Sequence, residues 1–353
     1  MTKDSLKNLK DAIQLNCHIS DAQYAGNYTL CIYLLKMREF YRWEKSIPYS
    51  QKLSNDDIGD WLTKREAHWN EIDELSFENL FPEPDKSIDC FDADSINTSL
   101  AEHNLVYSAG FGHYGKPVFV LADLESKTQV DEYSLTICGH EHIRELAAPP
   151  GMSHGKHIFI RKESLKRFIW EKVEESRWYS KDNPLARALG YYDFENNIEQ
   201  SLEQMTSLET DTVLHHEIGE VRASQLLGES WNDMVMQMPR SQAEFMARAI
   251  KDHLADAIST LPRLIENNDP AQIHFYFANL SGMRREIFPA LMDSYLQWKE
   301  KADNGILQNV AAQSLQHWQN IAENLLDMFT ETGLNGLRDL ENMVKRNYLE
   351  AIV

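Results

Sequence analysis

The chain has 353 residues, 42% hydrophobic and 25% charged, an ordinary globular composition whose length suits one large domain or two modest ones. Its 55 acidic side chains outnumber 35 Lys and Arg, and the formal charge of −20 repels phosphate backbones and anionic membranes, with no basic run to offset it. Nucleic-acid and membrane-surface binding are therefore not expected, and the excess of acid is first of all a source of solubility.

The first 45 residues read as helix, break, helix. Ser20 and Gln23 have capping-box spacing, and apolar or aromatic residues then recur at Tyr24, Tyr28, Cys31, Leu34, Leu35, Met37 and Tyr41. On that reading Asp21 is a first-turn acid complementing the helix dipole, and its spacing of three from His18 needs no ligand role. DDIGDWLTKREAHWNEIDE is a second amphipathic helix, capped by Ser54 or Asn55, and FPEPDKS (81–87) is a loop. LVYSAGF, PVFVLADL and YSLTIC are rich in β-branched and aromatic residues over strand-like lengths and predict a small antiparallel meander at about 105–138. APPGMSHGKH is a turn-rich crossing, HIFI is a further short strand, and SLKRFIWEKVEESRW is helical. From about Asn183 onward only helical patterns follow, with breaks at Gly228, Pro239, Pro262, Asp269-Pro270, Asn304-Gly305 and Gly333. Ser241 and Glu244 make another capping box. The expected fold is mainly α (α+β overall), with a bundle-like helical C-terminal half and a small β meander in the N-terminal half. The expected boundary, at KDNP, separates residues 1–182 from 183–353.

Cys17, Cys31, Cys90 and Cys138 form no CxxC pair, which excludes zinc ribbons and thioredoxin-type chemistry and fits a reducing cytosol. MTKDSLKNLKDA is too charged for a signal peptide, and no segment approaches the ~18 apolar residues of a membrane span. The expected location is cytoplasmic. GFGHYG (110–115) matches GxGxxG, but Lys116-Pro117 and an apolar strand follow it where a dinucleotide fold needs a helix, so it reads as a hairpin turn. There is no nucleophile elbow, Walker motif or EF-hand loop.

Two histidine groups carry possible chemistry. His140 and His142 end the third strand and project to one side if extended, with His154 and His157 close in sequence; exposed loop histidines are the plainer reading. LHHEIGE (214–220) is the sharper signal. His216 and Glu220 lie one helical turn apart, a spacing shared with HExxH, in which two histidines hold zinc and the intervening glutamate is the base. Here the second histidine is replaced by glutamate, against a protease, whereas helical-bundle carboxylate metal sites use this residue combination. The stripe Leu202, Met205, Glu209, Val213, His216, Glu220, Leu227 is apolar near both ends and polar in the middle, and buried ionisable groups need a partner or a metal. His253 and Asp256, on a second helix, offer the complementary pair. Metal ligands expected on this reading are His216, Glu220, His253 and Asp256, holding Zn, Fe or Mn, with Glu217 as general base in a hydrolytic version. The alternatives are ion pairing of the same residues, with Lys251 or Arg222 on Glu220, and a helix broken at Gly219. His274 and His317 read as aromatic-packed core positions.

NCHISDAQYAGNYTLCIYLLKMREFYRWE, AAPPGMS, LHHEIGE, DHLADAISTLP and HFYFANLSGMRREIFPAL together resemble an uncharacterised family of proteobacterial cytoplasmic proteins, a domain of unknown function, over most of the chain to about residue 291. The resemblance implies a bacterial cytosolic protein and transfers no activity. Two functions stay open: a metal-binding helical protein, with a metal-dependent hydrolase and an oxidoreductase as its catalytic versions, and a non-catalytic protein-interaction or scaffold protein whose eight tryptophans and fourteen tyrosines serve as anchors.

Overall fold

The computed structural model describes residues 2–83, 86–112, 115–177, 182–280 and 282–348. It divides into two units, one formed by Met1–Glu171 with Phe194–Ser207 and the other by Lys172–Asp193 with Leu208–Val353. Among the described residues no helix is long and apolar enough to cross a membrane.

The first unit begins with α1 (Lys3–Tyr24), capped by the Thr2 side chain. The helix runs through Ser20–Gln23, so the capping box expected there does not form. Tertiary partners take those side chains instead. The Ser20 hydroxyl donates to the Pro117 carbonyl, and the buried Asp21 carboxylate accepts from Lys116 Nζ at 2.7 Å and from the Leu146 amide at 2.9 Å. Asp21 is thus a buried ion-pair partner near a helix end, not a first-turn acid. The break falls at residues 25–29, before α2 (Leu30–Glu44), which leaves Leu30, Ile32, Leu34 and Leu35 exposed. α3 (Asn55–Ile72) starts at Ser54, whose hydroxyl accepts from the Asp57 amide. Residues 81–87 are not simply a loop. They contribute to a two-stranded ribbon of β1 (Leu80–Glu83) and β2 (Lys86–Ile88), and residues 84 and 85 lie outside the described set.

After α4 (Ala93–Leu100) come β3 (Leu105–Phe111), β4 (Pro117–Val130) and β5 (Tyr133–Arg144), antiparallel neighbours as expected of a meander. Residues 113 and 114 of the glycine-rich turn lie outside the described set, while Gly115 takes the positive φ of 68° that glycine permits and strand β4, not a helix, follows. β5 continues six residues beyond the expected end, so His140 and His142 lie inside a strand. β6 (Gly151–His154) occupies the segment read as a crossing, and β7 (His157–Arg161) pairs parallel to β5, giving sheet order β3-β4-β5-β7-β6. Leu9, Ile13 and Cys17 of α1 pack with Tyr107, Phe119, Leu121 and Ile143 of the sheet to form the core. α5 (Lys162–Ser176) leaves β7 directly.

In the second unit every described regular element is helical. α6 (Pro184–Leu189) precedes α7 (Ile198–Leu227), a 30-residue helix whose first residues belong to the first unit. α8 (Glu229–Gln237) follows Gly228, which has φ 73°, and α9 (Gln242–Ala255) is capped by Ser241. At Pro262 there is no break. α9 passes through a π-helical turn (Asp256–Thr260) into α10 (Leu261–Asn267), and Pro262 sits in that helix's first turn, where its missing N–H is tolerated. α11 (Pro270–Asn279), α12 (Gly282–Ile287), α13 (Pro289–Lys301), α14 (Asn304–Thr332) and α15 (Leu337–Arg346) complete the unit. Ile250, Leu254, Phe288, Tyr295, Trp318 and Leu325 lie in one apolar core. Gly219 does not end α7. It lets the helix approach α9 so closely that a Cβ there would lie 2.3 Å from the Ala255 carbonyl oxygen.

Candidate functional site

A cleft of about 660 Å3 lies in the first unit, a volume usual for small-molecule sites. The end of α2 supplies Arg42 and Trp43, and the segment after it supplies Ser46, Pro48 and Tyr49. β5 supplies His140 and Arg144, and the first turns of α5 supply Lys162, Glu163, Lys166 and Arg167. Glu199, Glu203 and Thr206 come from α7. β5 is irregular here. Ile143 pairs with Leu121 and Glu141 with Ala122, so β5 carries one extra residue, His142, the kind of bulge that re-aims neighbouring side chains.

Arg144 is the centre of the site. It is 2% exposed, and among the described residues no protein group accepts a hydrogen bond from its guanidinium. The nearest carboxylate, Glu141, is 3.9 Å away and is already held by two parallel bonds, both 3.0 Å, from Arg161. What supports Arg144 is aromatic. Its guanidinium carbon lies 4.6 Å from the Trp43 ring centre and 5.3 Å from that of Phe40, and these two rings stack on one another. Burial, aided by the like charge of Arg167, lowers its pKa to about 10, which leaves it cationic at neutral pH. Arg167, also buried, bonds Glu171 and the carbonyls of Ala147 and Ala148 but leaves its Nε hydrogen without an acceptor among the described residues. Burial raises the pKa of Tyr49, so its hydroxyl stays a neutral donor.

The other cations of the cleft are committed. Arg42 bonds Glu39 and the carbonyls of Pro48 and Gln51, Lys162 bonds Glu125 at 2.7 Å, and Lys166 bonds Glu203. A buried guanidinium without an acceptor is costly, because desolvation is offset only in part by ring contacts. In chemical terms the cleft offers a carboxylate- or phosphate-sized acceptor group a charged, forked donor. An α-helix N-terminus alongside adds its positive end.

A neighbouring cleft of about 400 Å3 shares Trp43, Ser46 and His140 and adds His18, Glu44 and His142. His140 meets Glu163 at 3.1 Å and His142 meets Asp123 at 2.7 Å, with their rings 5.1 Å apart, so the two do project to one side as extended backbone requires. His154 and His157 pair with each other across β6 and β7, on other strands of the sheet. His18 is half enclosed by Arg65, Trp69 and Gln14, and burial, with the charge of Arg65 beside it, lowers its pKa to about 3.

The residues expected as metal ligands lie in the second unit, where the structure joins some and separates others. His216 Nδ1 is 3.3 Å from Asp256 Oδ1. The other oxygen of the buried Asp256 accepts from the Tyr276 hydroxyl at 2.7 Å and from Arg284. Burial opposes protonation of His216, but the bond and charge of Asp256 outweigh it and raise its pKa to about 9. Glu220 points instead to Lys251, 3.1 Å away. His253, one turn before Asp256 in sequence, turns elsewhere. Its Nε2 meets the Arg284 carbonyl at 2.7 Å, and its ring stacks on Trp318 against the edge of Phe288. The π turn beginning at Asp256 explains the divergence, since a wider turn changes the angle between successive side chains. The carboxylates that were to face a metal therefore face the protein's own cations. Among the described residues no group of three or more His, Cys, Asp or Glu is arranged to hold a metal ion. Glu217 lies between His216 and Glu220 in α7.

Of the cleft residues, only His140 was singled out from the sequence. A readable trace existed. Lys162, Lys166 and Arg167 place cations in the first turns of α5, where the helix dipole favours acids, and Arg161 precedes them. Nothing local marked Arg144, which needs α2, β5 and α5 together.

The family model described as the N-terminal domain of a family of unknown function (DUF6866) matches residues 8–161, and that of the C-terminal domain of the same family matches residues 166–347. No curated protein and no solved structure matches the chain.

Proposed function

Because the chain belongs to the DUF6866 family through both of that family's domains, and the family carries no assigned activity, we propose a function from the cleft itself: binding of a small ligand through an anionic group, carboxylate or phosphate, held by Arg144. One observation carries this reading. Arg144 is a buried cation at a cleft wall with aromatic support, its nearest carboxylate 3.9 Å away and no hydrogen-bond acceptor among the described residues, in a chain that hydrogen-bonds its other cleft cations. Evolving a desolvated donor without a partner makes sense where a ligand supplies the acceptor. Arg167 Nε and the Tyr49 hydroxyl are further donors at the same wall. The wider placement that accompanies the reading is a cytoplasmic protein, supported by four cysteines in no disulfide.

The test is calorimetric titration of the purified chain with phosphate, short monocarboxylates and dicarboxylates, beside Arg144→Met. At least one anion is expected to bind the wild type, and the variant is expected to bind it at least about 30-fold more weakly, the scale of a lost charge-assisted fork. Equal binding by a folded Arg144→Met protein removes the proposal.

A further inference from the structure

The cleft has a second imbalance. Glu125 and Glu203 are neutralised by Lys162 and Lys166, but Glu163 and Glu199 have no Lys or Arg within ion-pair distance among the described residues. Glu163 accepts from the Glu141 amide at 2.6 Å and meets His140. One oxygen of Glu199 accepts from the amide and hydroxyl of Ser50, at 2.9 and 3.2 Å, leaving the other open. Both carboxylates line the same cleft as Arg144, and all three come from different elements. A pure anion would satisfy Arg144 while facing these carboxylates, and like charges in a shared cleft repel.

From this opposed charge pattern we infer that the ligand is bifunctional, with an anionic group for Arg144 and a protonated amine for Glu163 and Glu199. This rests on the anion-binding reading above and narrows it. The chemistry is shared by amino acids and by aminoalkyl phosphates, and the cleft volume of about 660 Å3 admits either. The amine replaces no existing ion pair to Lys or Arg, so its gain is not offset by breaking one.

The inference is tested with matched ligands that differ by one amine: glycine and acetate, 4-aminobutyrate and butyrate, phosphoethanolamine and ethyl phosphate. Each is titrated into the wild-type chain, a Glu163→Gln/Glu199→Gln variant, Arg144→Met and Arg144→Lys, with near-ultraviolet circular dichroism reporting the fold. Glutamine keeps the acceptor for the Glu141 and Ser50 amides, so the double variant removes charge alone. In at least one pair the aminated member is expected to bind about tenfold or more tightly, and in the double variant that preference should fall to about threefold or less while the plain anion keeps its affinity. Both Arg144 variants should weaken both members together, the lysine variant less. Plain anions binding the wild type as tightly as their aminated partners would overturn the bifunctional ligand and leave the anion site standing. Binding of no member to the wild type, or undiminished binding to both Arg144 variants, would overturn the two readings together.

Discussion

Asp256 in the helical unit and Arg144 in the sheet unit are both buried charges, and they are treated in opposite ways. Asp256 receives three partners, His216, Tyr276 and Arg284, and its acidity is held well below the usual carboxylate range because the charge of Arg284 and the bonds of its neighbours outweigh desolvation. Arg144 receives rings and, among the described residues, no hydrogen-bond acceptor. A closed network spends its hydrogen-bonding capacity on the protein and acts as scaffold, whereas an open one keeps capacity for something else. Counting charged residues in a cluster therefore identifies a site less well than asking which of them lack a partner.

That contrast predicts a large effect first. Asp256→Ala leaves Arg284 and the Tyr276 hydroxyl without their acceptor, and removing one member of a buried network costs about 3–5 kcal/mol. Urea denaturation followed by helical ellipticity measures it. A loss below about 1 kcal/mol would mean that the network is not closed.

Glu209 supplies a third kind of buried ionisable group, an acid without a cation among the described residues. Among those residues its Oε1 has no hydrogen-bond partner, and burial raises its pKa to about 8. The folded state thus holds the proton more tightly than the unfolded chain. Stability is fully present below the unfolded value near 4.5 and falls as the pH rises from there to about 8. Glu209→Gln is expected to flatten that decline and to raise stability at pH 8 by on the order of a few kcal/mol. Denaturation midpoints of both proteins between pH 5 and 8 check the sign, which would be reversed if Glu209 were held charged.

Smaller effects bear on the geometry that makes each region. Gly219→Ala puts a methyl group against the Ala255 backbone and is expected to cost about 1–3 kcal/mol, while Gly59→Ala, on a solvent-facing turn of α3 with open space around it, should stabilise slightly. Arg144→Met is expected to change stability by less than about 1 kcal/mol, because lost ring contacts are offset by relief of desolvation. A loss of several kcal/mol would place Arg144 with Asp256 as scaffold and weaken its reading as a binding group.

Local chemistry accounts for what could be read early. Runs rich in β-branched and aromatic residues marked β3, β4 and β5, Ser54 and Ser241 marked helix starts, and Asp269-Pro270 and Gly333 marked ends, because propensities and caps act over three or four residues. The same range explains Ser20, spaced from Gln23 as a cap, and Asp21, placed as a first-turn acid, whose side chains were taken by Pro117 and Lys116, about a hundred positions away. It also explains His253 and Asp256, which share a helical face on paper and diverge at a π turn. Period and composition were enough for a mainly helical chain with a sheet in its N-terminal half. They were not enough for the partners of a charge. Whether an arginine is closed by a carboxylate, as Arg161 is, or left facing a cleft, as Arg144 is, depends on side chains brought together from α2, β5 and α5, and long-range packing alone sets that.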